Sequence, residues 1–463
     1  MIQELAKKLF KEHLALESKL PQIEKRQPVH VVYGGANLFK AETPEKLGKI
    51  ALKSIETYAP NFIEFAKAMK FPKADSLDKS LLDYAENEEK IKAISHDAWL
   101  AWNIYHKTIK KLQIEPVEDF RIDFEDGYGF RSNDEEDFHA KQASEELAKN
   151  LYSANALPFF GLRIKSFAPE TFNRAVRTLE IFLQNFIEKT NRLKDSINLY
   201  ERFVVTLPKV TSYKEVKVLS KLLEVLEQQN SLSANAIKIE IMIENPKAIL
   251  DENGKIVLQD LVKAGDGRVV SAHFGAFDYT ASFGISGNAQ NLRHESCNFA
   301  RNLMQLALTQ LGIRLSDSVT IEIPVPIHKG ENLSEKQIEE NKLAIHRAWQ
   351  KHFENITYSL DNGFYQSWDL HPAQLVARYA ATYLFFLSAK DTQAKRLRNF
   401  IEKATQASLT GNIFDDAASA IGILNFFRRA KSCGALSEEE IHEATGLAFE
   451  ELNPLLFLKT QNS

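Results

Sequence analysis

From Ile237 to Glu244 hydrophobic and polar positions alternate without a fault: four isoleucines (237, 239, 241, 243) fall on one side, and Lys238, Glu240, Met242 and Glu244 on the other. Period two predicts a strand. Its isoleucine face needs an apolar cover, and its other face must meet water or pair its charges. A barrel strand satisfies both demands. Asn245 and Pro246 end the run, so Glu244 falls at the strand's C-terminal tip, the end at which α/β folds place their chemistry.

Seven further short apolar runs read as strands: His30 to Tyr33, Phe120 to Phe124, Phe159 to Ile164, Phe203 to Val210, Val269 to Phe277, Val319 to Val325 and Tyr365 to His371. Segments of helical period lie between them, among them Asp134 to Leu151, Pro169 to Glu188, Ser212 to Gln229, Leu292 to Leu311 and Ser334 to Phe353. Eight alternating units predict an α/β chain closed as a (β/α)8 TIM barrel, with right-handed crossovers. An open doubly wound sheet is the alternative, but no GxGxxG turn follows the first strand, which continues Tyr33-Gly34-Gly35-Ala36.

Two regions exceed the repeat. About 85 residues separate the first two strands, too many for one crossover helix, which predicts a helical insertion over about 41–118. After Pro372 the chain reads as helical, with a capping-box start at Ser437. The expected organisation is an N-terminal helical segment (1–29), a catalytic barrel (30–375) and a C-terminal helical extension (376–463). The apolar positions of both additions suggest a lid or a subunit contact over a small, enclosed site, and assembly as a homo-oligomer is expected.

Composition narrows the function. Hydrophobic residues make up 44% and charged residues 26% of 463, and a net charge of -4 gives no electrostatic footprint for nucleic acid. The charged N-terminus does not read as a signal peptide, and the most apolar run, Tyr379 to Leu387, is too short to cross a bilayer, so neither a leader nor a membrane partner is expected. Cys297 and Cys433 are too sparse for a disulfide framework, which favours a reducing, cytoplasmic setting.

The chemistry-bearing residues lie at strand ends. Arg163 and Lys165 alternate with Leu162 and Ile164, and an inward arginine suits a carboxylate or an enolate; packing against a strand-end acid is the structural alternative. Asp123, Glu125 and Asp126 cluster after the second strand, where Gly127 and Gly129 let the loop turn, and an acidic loop of this kind is as easily a solvated one. Glu244 and Asp278 end neighbouring strands, and two hard oxygen donors with room for water suit Mg²⁺, with Mn²⁺ as a substitute. No HExxH or Cys/His spacing supports zinc, and His273 and His371 read first as hydrogen-bonded core residues. Lys209, in TLPKV, could in principle form a Schiff base with a carbonyl substrate.

Six short motifs occur in one order: DFEDG from Asp123, RIKSF from Arg163, LPKV from Leu207, IEIMIENP around Glu244, GAFDYTAS around Asp278 and WDLHPAQ around His371. Together they resemble the HpcH/HpaI aldolase and citrate lyase beta subunit superfamily over about residues 30–375, as a divergent member related to malyl-CoA lyase and malate synthase. The resemblance implies a Mg²⁺-dependent carbon–carbon lyase or aldolase acting on a 2-oxo acid or its acyl-CoA adduct. It implies Glu244 and Asp278 as metal ligands and Arg163 as the group on the carbonyl or enolate oxygen. Asp123 and Glu125 would stand behind the metal, and Asp126, His371 or a metal-bound water would serve as the general base. Lys165 and Gln374 would complete the substrate contacts. The early loop at Gly34-Gly35-Ala36 matches only loosely, which tilts the expectation towards a compact acid rather than coenzyme A. Two other readings remain: phosphoryl transfer or hydrolysis of a phosphoenolpyruvate-type substrate, for which no basic phosphate cradle is visible, and a non-catalytic barrel scaffold.

Overall fold

The computed structural model describes residues 2–17, 26–190, 202–402, 408–410, 413–415 and 417–453. The remainder of the expected terminal segments, residues 1, 18–25, 403–407, 411–412, 416 and 454–463, lies outside the described residues. Eight parallel strands close on themselves in sequence order: β1 His30–Gly35, β2 Asp119–Asp123, β3 Phe159–Arg163, β4 Phe203–Leu207, β5 Lys238–Ile243, β6 Val269–Phe274, β7 Arg314–Val319 and β8 Gln366–Asp369. β8 pairs back onto β1 through His30 with Ser367 and Val32 with Asp369. This is the closed (β/α)8 barrel that the alternation predicts.

Each crossover carries a helix whose apolar stripe covers the outward faces of the strands. The helix Phe172–Thr190 buries Leu179, Phe182, Leu183 and Phe186, and Phe186 stacks on Phe203 of β4. On β5 the isoleucines are all buried outward, under this helical layer. Its other face is charged and still dry: Glu240 is 1% exposed. Arg121 donates to Glu240 from Nε (3.1 Å) and Nη2 (2.8 Å), the hydroxyls of Thr206 and Ser271 donate at 2.7 Å each, and His273 Nε2 lies at 2.7 Å. Asp119 grips the far side of Arg121. The lower barrel is therefore filled by a paired ionic layer rather than by branched aliphatics. Burial works against the charge on Glu240, but Arg121 and His273 hold its carboxyl well below the usual range.

One strand differs from its expected place. β7 runs over Arg314–Val319, not Val319 to Val325. Pro324 and Pro326 lack the N–H a ladder needs, whereas the polar run Ser316-Asp317-Ser318 is accommodated because Arg301 and Ser359 satisfy Asp317. The fourth strand also stops early, at Leu207, before Pro208 and before Lys209, whose φ of 53° breaks the extended path.

The additions build the flank. The insertion contributes Thr43–Tyr58, Phe62–Ala68, Glu88–Ile94 and the crossover helix His96–Ile114, each packing mainly on its neighbours and on the helices Glu335–Asp361 and Gln374–Glu402. Gln374–Glu402 packs between His96–Ile114 and Glu335–Asp361, so it completes the outer ring, and the boundary expected after residue 375 falls inside it. It is pinned to β8 by Arg378, which donates to Asp369 from Nε and Nη2, while His352 reaches the same carboxylate at 2.7 Å. The expected lid is thus mainly a buttress, and Asp126 and Asp278 stay exposed at the barrel mouth. No helix among the described residues is long and apolar enough to cross a membrane.

Candidate active site

β2 and β3 place Asp123 and Arg163 side by side as register partners. Arg163 Nε donates to Asp123 Oδ1 at 2.7 Å and Nη2 to Oδ2 at 2.5 Å. Asp123 is held in turn by the N–H groups of Glu125 (2.9 Å) and Gly127 (2.8 Å). Position 127 must be glycine for this contact, since a Cβ there would lie 2.6 Å from Asp123 Oδ2. The third guanidinium nitrogen, Nη1, faces Glu125 at 3.5 Å, Asp126 at 3.7 Å and the Met242 sulfur at 3.9 Å. These distances are too long for strong bonds, so Nη1 is the least firmly held edge of the guanidinium.

Glu244, one residue beyond β5, is 4% exposed. Its Oε2 accepts the backbone N–H of Lys209 at 2.8 Å, a contact that needs the left-handed backbone at Lys209. Gly275 leaves room for it, because a Cβ there would come within 2.5 Å of Glu244 Cγ. Burial first, then the charge of Asp278, push the Glu244 carboxyl up to about 7 against the pull of Arg163 and the Lys209 bond. Asp278, in the first turn of the short helix Ala276–Ala281, is raised as well, by partial desolvation and by Asp126.

Lys209 Nζ bridges Glu125 (2.8 Å) and Asp126 (3.0 Å). Although burial opposes it, these two acids hold the ammonium above its ordinary range, which weighs against the Schiff-base reading. Glu125 is raised by burial and by its neighbour. Hydrogen bonds to Glu125 and Lys209 overcome burial to keep Asp126 below the usual carboxylate range. The two adjacent acids are pushed apart, a pattern suited to sharing acid and base roles.

The structure therefore brings Asp123, Glu125, Asp126, Arg163, Lys209 and Glu244 into one contact network, with Asp278 facing it electrostatically. It does not bring in the other candidates. Lys165 Nζ donates to the carbonyls of Phe124 (2.7 Å) and Gly129 (3.3 Å) and pairs with Glu136, which ties down the loop after β2. Gln374 accepts from the N–H groups of Leu370 and His371 and donates to the carbonyls of Thr320 and Glu322, so its amide is consumed in joining two loops. His371 accepts the Ala373 N–H at Nδ1, a bond within its own turn, and burial lowers its pKa.

No group of three or more His, Cys, Asp or Glu side chains among the described residues is arranged as a metal cage. Glu244 and Asp278 still suit a small hard cation, which takes few protein carboxylates and fills its remaining positions with water and substrate oxygens. Both carboxyls would have to be deprotonated to hold such an ion, which would compete with the proton for them.

The family model decides the affiliation, matching residues 11–460. The chain belongs to the family described as "Domain of unknown function (DUF6986)". No curated protein matches it. Among solved structures it is similar to a citrate lyase from Burkholderia xenovorans LB400, with a TM-score of 0.52 and 18% identity over 76% of this chain and 94% of that one. Two malate synthase structures from Haloferax volcanii also align. The lead(II) complex has a TM-score of 0.41 and 16% identity, over 74% of this chain and 81% of that one. The magnesium/glyoxylate complex has a TM-score of 0.40 and 14% identity, over 73% and 88%. At such identities the likeness of this family member to the citrate lyase is one of fold.

Proposed function

We propose that this barrel is a Mg²⁺-dependent carbon–carbon lyase or aldolase acting on a 2-oxo acid or on its acyl-CoA adduct. The observation that carries the reading is a buried Glu244 at the tip of β5 that feels the charge of Asp278, in the short helix after β6, beside an arginine whose Nη1 is only loosely held. Glu244 and Asp278 would hold the ion, which when bound polarises a carbonyl and stabilises enolate charge. Arg163 Nη1 donates a charge-assisted hydrogen bond to the same developing oxyanion. Asp123 anchors the Nε/Nη2 edge of the guanidinium, so the arginine is already held in the site as charge develops. The proton removed or returned next to the carbonyl is exchanged with the Glu125–Asp126 pair, whose two carboxyls are shifted in opposite directions. Lys209 orients that pair with its ammonium and Glu244 with its backbone.

The exposed mouth over Asp126 and Asp278 admits either a compact acid or a larger thioester. The test is a screen for cleavage products from 2-oxo acids and acyl-CoA adducts with Mg²⁺ or Mn²⁺. Turnover that chelator abolishes and Glu244→Gln lacks is expected. Turnover that survives both would sink the reading.

A further inference from the structure

Directly below the site, Tyr33 of β1 carries the Arg163 guanidinium over its ring, with 4.8 Å between the guanidinium carbon and the ring centroid. Its hydroxyl lies 3.0 Å from His273 Nδ1 and 3.3 Å from Glu240 Oε1. Trp368 of β8 packs on the same ring at 4.7 Å. Tyr33 is thus the contact between two systems: the ionic layer that fills the lower barrel, and the arginine that meets the ligand. Glu240 is itself immobile, since it accepts from Arg121, Thr206 and Ser271 and lies against His273.

We propose that Tyr33 is a positioning residue for Arg163: the Glu240–His273 pair clamps its hydroxyl, its ring bears the guanidinium, and the buried layer thereby sets the angle at which Nη1 meets a substrate oxyanion. The physical basis is direct. Asp123 fixes only the Nε/Nη2 edge, which leaves the guanidinium free to tilt about that edge. A ring face held at one angle removes that freedom, because a cation is attracted to the face and not to the rim. Without it Arg163 keeps its salt bridge but samples orientations in which Nη1 misses the oxygen.

This inference rests on the lyase reading, and the experiment separates the two. Oxalate, a planar dianion with the shape of a 2-oxo acid enolate, is titrated in Mn²⁺ against wild type, Tyr33→Leu, Arg163→Lys and the double variant. Tyr33→Leu should weaken oxalate about tenfold in the wild-type background and less than about twofold when Arg163 is already lysine, since a residue acting through Arg163 has nothing left to position. Equal losses in the two backgrounds would mean a purely structural role and overturn the proposal. The second readout needs no ligand: the Arg163 Nε–H resonance should be shifted upfield by the ring in wild type and move downfield in Tyr33→Leu. Should the leucine variant not fold, Tyr33→Phe serves. Loss of the clamp should move or broaden that resonance, and an unmoved one overturns the proposal. Wild type that shows the upfield resonance but ignores oxalate would defeat the lyase reading while leaving the positioning contact standing.

Discussion

Asp123 and Arg163 are register partners on adjacent strands and are joined by two parallel hydrogen bonds, of 2.7 and 2.5 Å, so the arginine presents a single edge to the barrel mouth. The pair fixes geometry as well as charge. Lysine at 163 would keep the charge but could not hold Asp123 and reach a ligand at once. Arg163→Lys is therefore expected to lower turnover by on the order of 10² to 10³ while Mn²⁺ binding survives. Steady-state kinetics and calorimetry check the two halves. Wild-type turnover would reduce Arg163 to a structural role.

The proposed metal site makes a separate prediction. Glu244→Gln and Asp278→Asn should each abolish or strongly weaken Mn²⁺ binding with the fold intact, because neither side chain belongs to the helix-covered outer face of the strands. Gly275→Ala should do the same from outside the ligand set: its Cβ would arrive 2.5 Å from Glu244 Cγ, and Glu244 cannot retreat while Lys209 N–H holds it. Calorimetry with Mn²⁺ reads all three. Unchanged affinity in both carboxylate variants would remove the site as drawn.

The periodicity of β5 foretold both a barrel strand and the need to pair Glu240, but not its partners. Arg121 and His273 lie far away in sequence, and such pairing is decided by barrel closure rather than by local pattern. Glu244, Asp278, Arg163 and the acidic loop were legible because strand tips in this fold face one mouth. Lys209 was visible as a lysine, yet its main structural act is a backbone N–H offered from a left-handed conformation, which no side-chain motif encodes. Gln374 and Lys165 misled for the same reason in reverse: polar groups near a mouth look available until their carbonyl partners, in loops distant along the chain, are known. The seventh strand was misplaced because a buried Asp317 looks unsuited to a strand until Arg301 is placed beside it.

The state of Lys209 bears on which chemistry the barrel runs. Two carboxylates at 2.8 and 3.0 Å keep its amine protonated, and a protonated amine does not attack a carbonyl. Incubation with pyruvate and borohydride should leave the mass of the protein unchanged. A reduced adduct mapped to Lys209 would move the mechanism into the Schiff-base class and make the metal reading unnecessary.

His30 supplies a pH test of the barrel seam between β1 and β8. It is fully buried, its Nε2 accepts the Glu118 N–H at 3.1 Å, and its Nδ1 lies 3.6 Å from Asp369. Burial, only partly opposed by the charges of Asp369 and Glu118, lowers its pKa from 6.5 to about 4. The sign follows. Above 6.5 both folded and unfolded chains carry a neutral imidazole and the group costs nothing; between 6.5 and about 4 the unfolded chain binds a proton that the folded chain refuses. Stability from this group is therefore present at neutral pH and declines as the pH falls, by about 1.4 kcal/mol per pH unit in the window for each such histidine. His352, lowered by burial at the same Asp369, acts with the same sign. The acids at the seam act elsewhere: Glu118, pushed down to about 2, loses its contribution only below its unfolded value of 4.5. Between 6.5 and 4.5 Glu244, pushed up to about 7, acts with the opposite sign, gaining stability as the pH falls, so His30 is read from the difference between wild type and a variant. Urea unfolding midpoints at several pH values across that range should show His30→Gln below wild type at neutral pH and approaching it as the pH falls. An identical slope in the variant would mean that His30 takes its proton in the folded chain, and that the seam is held by a charged imidazole.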